Sequence, residues 1–73
     1  MYCVVIMHDG GFASADYMDY EFVKKLIGSE PKVGSQFEWR EGYSESGLLE
    51  CEVIAICSSA CEAMNIAINA YNH

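Results

Sequence analysis

Cys57 and Cys61 stand four positions apart where an apolar run gives way to Ser58-Ser59. Thiols at that spacing have two chemistries open to them. With His8 and His73 they make four donors of the kind zinc takes. Alone, Cys61 in the first turn of a helix is a candidate nucleophile, because the positive helix end lowers a thiol pKa. The zinc reading lacks the second close pair of ligands that marks such sites, and no residue is singled out as a base for Cys61. His8-Asp9 matches half of a metal-dependent phosphohydrolase signature, with no other histidine near it in sequence. Gly10-Gly11 lacks the glycine spacing and the lysine of a phosphate-binding loop. The expectation is no catalytic residue, no cofactor and no metal. Cys3, Cys51, Cys57 and Cys61 each lie inside an apolar strand or helix pattern, where Cys behaves as a small hydrophobe. The start Met1-Tyr2-Cys3-Val4-Val5 has no basic n-region and no small-residue cleavage site. The cysteines therefore read as buried free thiols of a protein in a reducing cytoplasm.

Carboxylates are the other chemistry this chain is rich in. Eleven Asp and Glu stand against four Lys and Arg, for a formal charge of −7, while 52% of the residues are hydrophobic. A disordered acidic tail would be poor in apolar residues, so the composition describes one compact folded domain, 1–73, with a negative surface. Such a surface is repelled by nucleic acid and by anionic lipid, and the apolar run Val53 to Cys57 is far short of the ~20 residues that span a bilayer. The partner expected is a basic protein, with no direct nucleic acid and no membrane. One acidic group holds Asp9, Asp16, Asp19 and Glu21; a second holds Glu38, Glu41, Glu45, Glu50 and Glu52, offset only by Arg40. Aromatic residues interleave with both, and Tyr and Trp are frequent interface anchors. Asp16, Asp19, Tyr20, Glu21, Glu38, Trp39, Glu41, Glu50 and Glu52 are the residues expected to contact a partner. The bland alternative is a solvated face, with Phe37 and Trp39 in the core.

The elements that must position these groups follow from periodicity. Tyr2 to Met7 is a β-branched apolar run, apolar on both faces, that reads as a buried strand. Asp16 to Ile27 reads as a helix with Phe22, Val23, Leu26 and Ile27 as its core stripe. Asp16 or Asp19 would cap it, and Gly28 suits its C′ position. Gln36 to Glu41 alternates, with Phe37 and Trp39 on one face and Gln36, Glu38 and Arg40 on the other. Leu48 to Cys57 is a longer strand, with Leu49, Cys51, Val53, Ala55 and Cys57 on one face and Glu50, Glu52, Ile54 and Ile56 on the other. Ser59-Ala60-Cys61-Glu62 is a capping box opening the last helix. Ala60, Ala63, Met64, Ala67 and Tyr71 form its apolar face, and Ile66 falls on the side away from the core. The order is βαββα. The expected fold is α+β: a three-stranded antiparallel sheet of order 1-3-2 with both helices on one face. In that arrangement Ile54, Ile56 and Ile66 are exposed and make a surface for a second copy or another partner.

The segment 51–71 resembles the strand-to-helix unit of small phage-encoded proteins, among them inhibitors of bacterial RNA polymerase and anti-CRISPR proteins. The features that carry the resemblance are Glu52-Val53, the Ser59 cap, Glu62-Ala63, Ala67 and Tyr71. It implies a class and no residue role: small acidic inhibitors that obstruct a host nucleic-acid machine. The leading expectation is a non-enzymatic inhibitor in the host cytoplasm. It would bind the basic surface of a host complex, such as a CRISPR effector or RNA polymerase, by placing carboxylates where phosphates otherwise sit. The alternatives are a self-associating domain joined through an apolar sheet face, and a thiol-dependent enzyme at Cys61.

Overall fold

The computed structural model describes residues 1–9, 11–40 and 48–71. Six elements follow in chain order: β1 (Tyr2–Asp9), β2 (Phe12–Asp19), α1 (Tyr20–Ile27), β3 (Gln36–Trp39), β4 (Leu49–Cys57) and α2 (Ala60–Tyr71). The fold is α+β. The expected neighbours β1, β4 and β3 lie in the expected antiparallel order, but the sheet has four strands, β2-β1-β4-β3.

The added strand is β2, whose second half takes residues expected above to start the helix from Asp16. Five of its eight residues, Ala13, Ser14, Ala15, Asp16 and Asp19, are small or acidic and favour strands weakly. Pairing decides the matter: all eight β2 residues register against β1, from Tyr2↔Asp19 to Asp9↔Phe12. Just before Phe12, Gly11 takes the φ of 112° that glycine reaches without strain. Tyr17, which fits no helical stripe, instead meets Tyr2 edge-to-face at 5.8 Å. The helix begins only at Asp19. Its carboxylate accepts from the Glu21 and Phe22 N–H groups at 3.1 and 3.3 Å. Gly28 ends it in the left-handed conformation at φ 86°, its N–H donating to the Lys24 carbonyl at 2.8 Å.

The two helices cover opposite faces of the sheet, not the same one. Neighbours in β1 prove this, since successive side chains point to opposite faces. Cys3 and Val5 pack with Val23 of α1 and with Phe37, Leu49, Cys51 and Val53. Val4 packs with Cys57 and with Ala63 and Ala67 of α2. β1 is apolar on both sides because both sides are covered. Each fully buried valine of β1 contributes about 1.5–3 kcal/mol.

A bulge in β4 makes this possible. Val4 pairs with Ala55 and Val5 with Val53, which leaves Ile54 as an extra residue. Before the bulge, Leu49, Cys51 and Val53 face α1. After it, Ala55 and Cys57 face α2 and Ile56 turns toward α1. The strict alternation expected along β4 is thereby broken. Ile54 and Ile56 become half-buried, and the exposed isoleucine face expected for self-association does not form.

α2 is capped as its sequence predicts, the Glu62 N–H donating to Ser59 Oγ at 3.2 Å. Its rotation differs from expectation. Ala63, Ala67 and half-buried Ile66 pack on the sheet, whereas Met64 is 44% exposed. Alanines at the contact let the helix lie close to the sheet, and Ile66 fills the space beside them. No helix among the described residues is long and apolar enough to cross a membrane.

Candidate functional site

The acidic residues of β3 and β4, Glu38, Glu50 and Glu52, gather on the sheet face that α2 covers elsewhere, at the end α2 does not reach. Strand alternation puts Gln36 and Glu38 of β3, Glu50 and Glu52 of β4 and His8 of β1 on that one face. In register, Gln36 stands opposite Glu52, Glu38 opposite Glu50, and His8 opposite Glu50 on its other side. These residues line an open cleft of ≈ 420 Å³ whose floor includes Phe37 and Cys51.

Hydrogen-bond parity sharpens the geometry. The Val53 N–H donates to the Ser35 carbonyl, and the Gly34 N–H to the Val53 carbonyl. Antiparallel ladders alternate, so Phe37↔Cys51 and Trp39↔Leu49 are the bonded pairs. Gln36↔Glu52 and Glu38↔Glu50 are then the non-bonded pairs, in which side chains approach closest. Gln36 uses that proximity, its Nε2 donating to Glu52 Oε1 at 3.1 Å. Glu38 stands directly opposite Glu50, two like charges in register, with His8 on the far side of Glu50. Among the described residues no Lys or Arg bridges them; the ion pair found there, Lys24 to Glu30 at 2.9 Å, lies on the α1 side.

Glu38, Glu50 and Glu52 are thus brought together as expected. Asp16, Asp19, Tyr20, Glu21 and Trp39 are not part of that group. Asp19 spends its carboxylate on the α1 cap. Asp16 lies on β2, the opposite edge of the sheet, and accepts the Tyr17 N–H at 2.8 Å. Glu21 is exposed in the first turn of α1. Tyr20 donates its hydroxyl to Glu30, which also holds Lys24. The shared contacts hold the Glu30 carboxyl below its usual range and push the Tyr20 hydroxyl up, the Tyr20–Glu30 hydrogen bond being the first cause of both. Trp39 is half-buried on the α1 side, edge-to-face with Phe22 at 5.9 Å. Glu41 lies outside the described residues. His8 and Gln36 were not among the expected contacts; the alternation of their strands was the signal that places them beside the carboxylates.

The four thiols differ in burial. Cys3, Cys51 and Cys57 are buried and free, but Cys61 is exposed, contrary to expectation. Burial pushes the Cys3 and Cys57 thiols up, with Asp19 adding to the first and Glu62 to the second. Cys57 pairs with Tyr2 and His8 with Glu50, so the two lie about 20 Å apart along β1. Among the described residues no three His, Cys, Asp or Glu converge on a metal position, and His73 lies outside them.

Comparison of the chain with family models, with curated proteins and with solved structures finds no significant match.

Proposed function

We propose that this chain is a non-enzymatic binding protein that occupies a basic, nucleic-acid-handling surface of another protein. The observation that carries the reading is the Glu38–Glu50 pair on an open face. Like charges directly opposite in a sheet destabilise it, and a soluble surface has no need of such an arrangement. An incoming Lys or Arg relieves the repulsion, so the complex gains what the free domain lacks. Glu52 extends the negative strip along β4, and the net charge of −7 adds long-range attraction for a cationic partner. The action follows from competition, because Lys and Arg engaged by carboxylates no longer hold phosphates.

The test is binding to candidate basic partners, a CRISPR effector and an RNA polymerase among them, across a range of salt. Affinity for the true partner falls as salt rises, and the triple substitution Glu38→Gln, Glu50→Gln, Glu52→Gln slows association. Nucleic acid added in excess displaces the protein. Binding that ignores salt, the triple substitution and nucleic acid alike rejects the reading.

A further inference from the structure

Both outer strands of the sheet offer unpaired backbone, and they do so differently. In β2 the Tyr20 N–H donates inward to the Met1 carbonyl, so parity points the odd residues outward. The outward N–H of Tyr17 is already taken by Asp16 Oδ1. A carboxylate on an edge N–H blunts that edge against a new strand. In β3 the odd residues bond to β4, so Gln36 and Glu38 point their N–H and carbonyl groups outward. Among the described residues those groups have no partner.

The two sides of the β3 edge also differ in chemistry. On one side stand Glu38 and, one strand in, Glu50. On the other stand half-buried Trp39, Phe22, which is 42% exposed against it, and Leu26 one turn further along α1, 37% exposed. A strand laid along β3 would alternate between these sides, because successive side chains point to opposite faces. Residues opposite Gln36 and Glu38 would meet carboxylates; those between would meet the aromatic ledge.

We propose that the outer edge of β3 accepts an extended peptide segment in which Lys or Arg alternates with apolar residues, added to the sheet as a fifth strand. This rests on the acidic-face reading above and specifies the form its partner takes. Main-chain hydrogen bonds to Gln36 and Glu38 give affinity, and the alternation gives specificity. The basic residues neutralise the Glu38–Glu50 repulsion while the apolar ones cover Phe22 and Trp39.

The probes are two labelled heptapeptides of identical composition, one alternating Arg and Val and one with its Arg residues in a block, and polylysine as a structureless cation. The alternating peptide is expected to bind at least tenfold more tightly than the block peptide. N-methylation of its alternate backbone amides abolishes that advantage, and so does Gln36→Pro, which removes an outward N–H without touching the β4 ladder; Gln36→Ala leaves it in place. The methylated peptide makes the test independent of whether Gln36→Pro folds. If both heptapeptides and polylysine bind alike, and all lose affinity on Glu38→Gln with Glu50→Gln, strand addition is overturned and the acidic-face reading stands. If none binds at low salt, both are overturned.

Discussion

Glu38 of β3 and Glu50 of β4 face each other directly across the sheet, in the closer of the two antiparallel pair geometries, with no cation between them among the described residues. Two ionised groups so placed weaken the sheet that holds them. The expectation is that Glu38→Gln stabilises the isolated domain by a few tenths of a kcal/mol, with Tm rising by a few degrees at low salt and less at high salt. The same substitution weakens the basic partner. A Tm that falls, or binding that improves, contradicts the role given to the pair.

The last helix distinguishes cap from core. Ser59→Ala removes the acceptor for the Glu62 N–H and costs about 1 kcal/mol. Ala67→Glu buries a charge against the sheet and unfolds the domain. Ile66→Glu is also strongly destabilising, because Ile66 packs beside Ala63 and Ala67, while Met64→Glu is tolerated. Thermal melting of the four variants gives the order.

The thiols separate by burial. Cys61 reacts rapidly with a thiol reagent in the native protein, and Cys3, Cys51 and Cys57 react only on unfolding. Burial raises the Cys3 and Cys57 pKa values in the folded state. Stability from these groups is therefore complete below the unfolded thiol pKa of ~8.5. It declines as pH rises from there through the folded values, because the unfolded chain then binds fewer protons. Melting followed from pH 7 to 10 shows the decline, and the Cys3→Ala, Cys57→Ala double variant loses less over the same range.

The bulge at Ile54 is a feature of register, and its deletion reveals this. With Ile54 deleted, Val53 and Ala55 become neighbours, and plain alternation then sends Val53 to α1, Ala55 to α2, Ile56 to α1 and Cys57 to α2, the faces they already occupy. The deletion variant still melts as a single transition by circular dichroism, at a lower Tm because the half-buried Ile54 side chain is lost, and Ile54→Val lowers it less; a deletion variant with no cooperative transition contradicts a bulge at this position.

Gly28→Ala tests the end of α1. A Cβ there meets nothing within 4 Å, so the cost is that of a side chain at φ 86° and not of a clash. The expected loss is about 1 kcal/mol, read as a lower urea midpoint with an unchanged slope.

Much of this architecture is written locally in the chain. The capping box at Ser59, the Asp19 cap and the Gly28 stop are each set by residues within a few positions of the atoms they bond. The alternation Gln36-Phe37-Glu38-Trp39 and the matching Leu49-Glu50-Cys51-Glu52 already separate carboxylates from core, so the trio Glu38, Glu50 and Glu52 was legible before any fold was known. The apolar character of β1 on both faces marked it as buried. Tertiary structure decided the rest. β2 has little strand propensity and exists because β1 offers it a ladder. The bulge at Ile54 leaves no mark in composition, since one apolar residue among four in Val53-Ile54-Ala55-Ile56 looks like any other. Amphipathicity states that a helix buries a face but not which layer receives it. That choice belongs to β1, whose two apolar faces require α1 on one side and α2 on the other and leave the acidic end of the sheet open.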